Sequence, residues 1–274
     1  MPSDWINAKN FSINSILLMA RWILRQLIGL EDTPLYDESP QYRRYLGIVL
    51  AYHPILCWYY GTRCPESAER VDALVREAPS GLSSDDVRGA EIGLMDMIDT
   101  FIVYLYPKVM DADCPYIRDW DPERLLSITD FTDKVVLDVG SGTGRLAFAA
   151  ASKARRVYAS EPTDRLREHM RDRIAREGIR NMVVMDGTIE AIPFEDNTFD
   201  IAMSAHVVGR NSEREIANLT RVVKNGGYII DCMGEDDRKR PKPREDLLEA
   251  GFTYGHYVSK TGGDVYRYWK QVKK

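Results

Sequence analysis

The stretch Val135–Ala151, VVLDVGSGTGRLAFAAA, decides how this chain is read. Five largely apolar residues, VVLDV, run into Gly140, Gly142 and Gly144, and a helix-forming run starts immediately afterwards. A buried strand that turns sharply into a helix lets main chain approach a ligand closely, and the first helical turn offers free N–H groups to it. A nucleotide-like ligand is implied. Gly142, Gly144 and Ala147 also satisfy the dinucleotide spacing G-x-G-x-x-A, which is weak when it stands alone. Asp138, two residues before the first glycine, places a carboxylate inside the strand, where nearby donors or a ligand must satisfy it.

Outward from this loop, short apolar runs alternate with amphipathic stretches. Strands are predicted at 135–139, 156–160, 182–185, 199–204 and 228–232, with helices at 145–153, 163–177 and 213–223 between them. Such alternation specifies a parallel sheet covered by helices on both faces. A helix at 244–250 follows. FTYGHYVSK and DVYRYWKQV, separated by TGG, then read as an antiparallel hairpin. Glu161 closes the second strand, where a carboxylate can accept from both hydroxyls of a ribose.

Further blocks stand in order: LDVGSGTG at 137–144, Glu161, IPFEDNTFD at 192–200 and LTRVVKNGG at 219–227. With them the chain resembles the class I S-adenosylmethionine (SAM) dependent methyltransferases, in particular the small-molecule, type 11-like branch. The resemblance runs from Val135 to the C-terminus. It implies a Rossmann-like α/β fold, a seven-stranded sheet that is parallel except for an antiparallel C-terminal hairpin, with SAM as cofactor and S-adenosylhomocysteine as product. Residue by residue, it sets Gly140, Ser141, Gly142, Thr143 and Gly144 at the methionine part of the cofactor and Glu161 at the ribose, with Asp138 and Pro162 also among the cofactor-binding residues. Gly187, Thr188 and Ile189 fall at the adenine, and Ala205 falls near the reactive methyl. The family often has an Asp where Thr188 stands. Either Thr188 with the Ile189 backbone reads the adenine edge, which the register to IPF favours, or Asp186 reaches in.

The resemblance also implies in-line methyl transfer, which asks the protein to align an acceptor and exclude water. His206, just beyond the fourth strand, is the candidate catalytic base, its ordinary pKa of about 6.5 suiting that task. Tyr254, His256 and Tyr257 are weaker candidates. The strand-four end SAHVVG lacks the N/D-P-P-Y/F signature of methyltransferases acting on nucleic-acid or protein amide nitrogens, and the acidic metal ligand of catechol-type enzymes. A small-molecule acceptor and no metal are therefore expected. His53, Cys57 and Cys64 lack the paired spacing of a zinc site. The other readings are a SAM-binding protein on this scaffold that transfers nothing, and a nicotinamide-linked oxidoreductase resting on the glycine match alone.

Before residue 130 no alternating strand pattern appears, and residues 1–115 read as an all-helical unit that caps the cleft of a SAM-binding domain at 116–274. FSINSILLMARWILRQLIGL, 11–30, is predicted as one amphipathic helix with Ile13, Ile16, Leu17, Ala20, Ile23, Leu24, Leu27 and Ile28 on one face. Two central arginines disfavour a membrane span, so the stripe is expected to dock on its own protein, with contact to a membrane surface as the less favoured reading. A turn-rich EDTPLYDESP leads to helices at 42–60, broken at Pro54, at 67–77, and at 89–109, ended by Pro107.

With 274 residues, 44% hydrophobic and 29% charged, the chain has the composition of a folded globular protein. Residues 1–115 carry net charge −6 and residues 116–274 carry +1. Neither half has the Lys and Arg excess that a nucleic-acid footprint needs, so no nucleic-acid partner is expected. Four cysteines are too few for a disulfide scaffold, and no signal peptide is read, which implies a cytoplasmic protein with reduced thiols.

Overall fold

The computed structural model describes residues 11–30, 39–209, 211–235 and 238–274, so most of the turn-rich 31–40 stretch lies outside the described residues. The chain divides into two compact units, Met1–Tyr106 and Pro107–Lys274.

The first unit is helical among its described residues: α1 Arg21–Leu27, α2 Pro40–Tyr52, α3 Pro54–Arg63, α4 Ala68–Glu77, α5 Ser84–Met97 and α6 Asp99–Ile102, with short 3-10 turns between them. Pro54 separates α2 from α3 as expected, since it has no N–H to continue α2 but its fixed φ suits the first position of α3. Ser83 and Asp86 start α5 with a reciprocal capping box.

Two helices expected as single pieces are broken. The 11–30 stretch is a 3-10 turn at Ile13–Leu18 followed by α1, because Met19 and Ala20 are extended and the Tyr59 hydroxyl donates to the Met19 carbonyl at 2.8 Å. The run expected at 89–109 divides into α5, α6 and a 3-10 turn at Val103–Leu105. It breaks at Ile98 (φ −108°, ψ 17°), next to the helix-averse TFIVY. Pro107 then opens a new helix.

The apolar stripe of 11–30 keeps its predicted inside: Ile13, Ile16, Ala20, Ile23, Leu24, Leu27 and Ile28 are buried, and Leu17 is half-buried. They pack with Leu46, Val49, Leu50 and Leu94. Arg21 and Arg25 lie outside this core and meet Glu66 at 2.6 and 2.5 Å. No described helix is long and apolar enough to cross a membrane. Ile23→Val should destabilise the protein by about 1 kcal/mol in urea unfolding, the usual loss for removing one packed methyl. An unchanged midpoint would mean that this stripe faces something other than the unit's own core.

The second unit opens with α7 Pro107–Asp113, α8 Pro115–Arg118 and α9 Glu123–Leu126. Its sheet comprises β1 Val135–Val139, β2 Arg156–Ser160, β3 Met182–Met185, β4 Phe199–Ser204, β5 Val223–Cys232, β6 Thr253–Val258 and β7 Asp264–Gln271. Between the strands lie α10 Arg145–Ala151, α11 Asp164–Glu177, α12 Ser212–Val222 and α13 Glu245–Glu249. The strand order is β3-β2-β1-β4-β5-β7-β6, with β1 to β5 parallel and β7 antiparallel to both neighbours. This is the Rossmann-like, seven-stranded arrangement expected from the sequence. Alternation along β1 sends Val136 to the core shared with α10 and α11 and Leu137 and Val139 to the core shared with α12. The compact units divide at Tyr106/Pro107, which gives α7 to the sheet unit, where Asp111 meets His169 of α11 at 2.7 Å.

The two later motif blocks turn out to clasp one another. Arg221 in LTRVV donates to the Ile192 and Phe194 carbonyls at 2.9 and 2.7 Å and meets Asp196 at 3.0 Å, so it threads IPFED onto α12. Asp200 accepts from the Val135 N–H and from Lys224, each at 2.8 Å, tying the start of β1 to β4 and β5. These blocks hold the frame of the sheet.

Candidate functional site at the carboxyl ends of the strands

Strand order reverses between β1, which leads back to β2 and β3, and β4, which leads on to β5; ligands of open α/β sheets bind beyond the strand ends at such a point. The glycine loop leaves β1 there. The Gly140 and Ser141 N–H groups donate to the Ser160 carbonyl at 2.8 and 3.1 Å, which fastens the loop to the end of β2. Gly144 N–H donates to the Ser141 carbonyl at 2.8 Å, closing the turn, and α10 begins.

The glycines differ in what surrounds them. At Gly140 (φ +67°) an added Cβ would lie 2.4 Å from Val207 Cγ2, so the loop after β4 packs directly against it. At Gly142 (φ +60°) an added Cβ would meet nothing within 4 Å. The chain leaves room there although no packing demands it. Ser141 and Thr143 are buried on either side.

Glu161 is 5% exposed and faces this loop: Oε2 accepts from the Gly142 N–H at 2.9 Å and Oε1 from the Thr163 N–H at 2.8 Å. Burial pushes its carboxyl up to about 6, against the pull of those two N–H donors. Each oxygen keeps a further lone pair for a hydroxyl. Pro162, half-buried, carries the turn between the two contacts. Arg167 of α11 donates to the Glu161 carbonyl at 2.6 Å and meets Asp186 at 3.1 Å.

Asp138 is 1% exposed, and its Oδ2 has no hydrogen-bond partner. Burial pushes this carboxyl up to about 7. Its proton is therefore bound more tightly in the folded chain than in the unfolded one, where the ordinary value is about 3.9. The resulting stabilisation is complete below about pH 4 and is lost as pH rises through about 7. Asp138→Asn, which cannot ionise, should accordingly gain on the wild type in urea midpoint between about pH 5 and about pH 8. A difference that stays constant over that range would show that the carboxyl titrates normally.

The loop after β3 is close by. A Cβ on Gly187 would lie 2.6 Å from Ser160 Oγ, which makes this a tight crossing over the end of β2. Thr188 is half-buried and Ile189 is buried, its carbonyl accepting from Asn218 at 3.0 Å. Asp186 is exposed and held by Arg167. Ala205 is half-buried, and His206 is exposed with φ +61°. The Tyr116 ring lies 6.0 Å from the His206 ring. Thus the sequence-selected residues of the loops after β1, β2, β3 and β4 gather at one end of the sheet. His256 stands apart, engaged by Asp264 at 2.9 Å across β6 and β7, and Tyr257 faces Arg124. His53 meets Glu91 at 2.7 Å and Cys57 donates to the Leu50 carbonyl. No metal-holding group of three or more His, Cys, Asp or Glu occurs among the described residues, and the four cysteines are free.

Arg145 escaped the sequence reading. It opens α10, where a cation opposes the helix dipole, and that misplaced charge is the signal that could have drawn attention to it. Its guanidinium donates to the Cys232 carbonyl at 3.0 Å and lies 4.4 Å from the Trp120 ring centroid.

Residues 136–227, from β1 into β5, match the family model of the methyltransferase domain. Over this stretch, about a third of the chain, the protein is similar to methyltransferase domains. It resembles the ubiquinone/menaquinone biosynthesis C-methyltransferase UbiE of Cupriavidus taiwanensis, 35% identical over 100 residues that cover 35% of this chain and 41% of that protein. It also resembles the sarcosine/dimethylglycine N-methyltransferase of Halorhodospira halochloris, 32% identical over 111 residues, 38% of this chain and 40% of that protein. The match thus spans about two fifths of these relatives' length. A SAM-dependent methyltransferase from Aquifex aeolicus aligns in structure with a TM-score of 0.45 at 23% identity, over 60% of this chain and 96% of that one. The antiparallel β7 also separates this sheet from the nicotinamide-binding sheet that the glycine spacing alone would allow.

Proposed function

We propose that the chain transfers the methyl group of SAM to a small-molecule acceptor and releases S-adenosylhomocysteine. The observation that carries this reading is the buried Glu161 carboxylate bridging the Gly142 and Thr163 N–H groups beside the open space at Gly142. That donor and acceptor set fits the cofactor: Glu161 takes the ribose hydroxyls, and Gly140 to Gly144 line its amino-acid part. The unpartnered oxygen of Asp138 is available to it or to a bridging water. Pro162, Gly187, Thr188 and Ile189 form the adenine side; Thr188 is the better reader, since Asp186 is tied to Arg167. Ala205 and His206 stand at the methyl end, with His206 as the acceptor's base.

When bound, SAM supplies an activated methyl group. The chain's part is to hold cofactor and acceptor in line and to keep water out. The acceptor class is read from the same site and from the small-molecule N-methyltransferase named above.

Affinity for S-adenosylhomocysteine should fall as pH is lowered through about 6, because only the ionised Glu161 accepts from both ribose hydroxyls. Calorimetric titration across that range checks this; a flat profile would remove Glu161 from the ribose. Turnover is tested by mass spectrometry of metabolite pools incubated with SAM and the protein. A product heavier by one methylene, formed with wild type and absent with Glu161→Ala, is expected. Tight cofactor binding with no methylated product from any pool would instead describe a silent SAM-binding protein.

A further inference from the structure

Beside the cofactor loop, four buried donor atoms lack hydrogen-bond partners: Trp120 Nε1, Arg124 Nε, Arg145 Nη1 and the Tyr257 hydroxyl. They belong to one cluster around the end of β5. Arg145 lies over the Trp120 ring and donates to the Cys232 carbonyl; Arg124 lies 3.8 Å from the Tyr257 ring centroid, and its carbonyl accepts from Cys232 Sγ at 3.8 Å. Trp120 is 91% buried by its 9% exposure. Three of the four atoms can only donate, and two are on guanidinium groups. A buried donor left unmade costs about 1–3 kcal/mol, so several together are kept only where something takes them up.

The partner these donors ask for is an anion. The nearby Glu235 is buried and accepts from the Lys260 N–H at 3.2 Å, while Asp138 and Asp231, whose Oδ2 atoms are likewise without partners, act on Arg145 through charge with no hydrogen bond to its Nη1. Tyr116 joins the cluster to the methyl end of the site: its main chain packs on Gly234 next to β5, and its ring stacks edgewise on His206. Trp120, Arg124 and Tyr257 also lie outside the 136–227 stretch shared with other methyltransferases, whereas the cofactor loops lie within it.

Resting on the proposed methyl transfer, we infer that Trp120, Arg124, Arg145 and Tyr257 form a subsite for an anionic group, carboxylate or phosphate, of the methyl acceptor. Arg124 and Arg145 supply charge-assisted hydrogen bonds, and Trp120 and Tyr257 fix the orientation of the group.

The test follows the indole N–H resonance of Trp120 in isotope-labelled full-length protein, assigned by its loss in Trp120→Phe. Benzoate, phenyl phosphate and neutral benzyl alcohol are titrated into free protein and into protein loaded with S-adenosylhomocysteine or with methylthioadenosine, which lacks the amino-acid part. The expected result is a saturable shift with the two anions in every state and none with benzyl alcohol. Affinity should be at least about tenfold weaker in Arg124→Gln and also reduced in Tyr257→Phe. No saturable shift with either anion, or an equal shift with benzyl alcohol, overturns the inference. So does a benzoate shift that persists with methylthioadenosine but vanishes with S-adenosylhomocysteine, since the donors would then hold the cofactor's own carboxylate. Calorimetry on the same samples reports S-adenosylhomocysteine binding separately, so a failed cofactor reading and a failed anion subsite give different results.

Discussion

Glu161→Ala is expected to weaken S-adenosylhomocysteine binding by about a hundredfold or more. Two ribose hydroxyl contacts to an ionised group contribute about 1.5–3 kcal/mol each, and both disappear. The loop suffers as well, because the Gly142 and Thr163 N–H groups lose the acceptor that holds them 2.9 and 2.8 Å away. The fold should survive, since the variant also loses the burden of a carboxylate whose burial already pushes it up to about 6. Glu161→Gln should lose nearly as much, because its amide N–H₂ would face one of those same donors. Calorimetry for affinity and circular dichroism for folding separate the two effects. An affinity within about threefold of wild type would take Glu161 out of the cofactor site.

The second large effect is a contrast between two glycines of the same loop. Gly140→Ala combines a left-handed backbone (φ +67°) with a Cβ 2.4 Å from Val207, and should cost about 2–4 kcal/mol of stability, lowering Tm by roughly 10 °C. Gly142→Ala has similar backbone strain (φ +60°) but no atom within 4 Å of the new methyl group. Its loss should stay near about 1 kcal/mol, with Tm falling only about 2–4 °C. The open space it fills is assigned to the cofactor, so affinity for S-adenosylhomocysteine should nonetheless fall at least about tenfold. Thermal melts with and without the ligand check both variants. Gly142→Ala that binds like wild type would mean that the space beside Glu161 belongs to no ligand.

Much of the sheet unit is legible in the sequence because its central strands, β1 and β4 above all, are short, largely buried and punctuated by glycine and proline. β1 to β4 lie at their predicted residues, and only β5 extends further toward the N-terminus, to Val223. The helical unit is harder. Apolar periodicity identifies which residues of 11–30 face inward, but not the break at Met19–Ala20, which depends on the Tyr59 hydroxyl forty residues away. The TFIVY run likewise has the apolar spacing of a helix and the β-branched side chains that weaken one. In the site, motif residues near the glycine loop could be found by spacing. Arg145, Trp120 and Tyr257 could not, because their meeting depends on three separate elements converging at the end of β5. IPFEDNTFD and LTRVVKNGG marked the fold correctly, yet Arg221 and Asp200 in them work as clasps between strands and loops.

The most direct measurement of the central claim is calorimetric titration of the full-length protein with SAM, S-adenosylhomocysteine and NADH. Saturable binding of both sulfur ligands at one site per chain, with none for NADH, is the predicted result. Binding of NADH with no response to SAM or S-adenosylhomocysteine would contradict it, and would return the glycine loop to the dinucleotide reading.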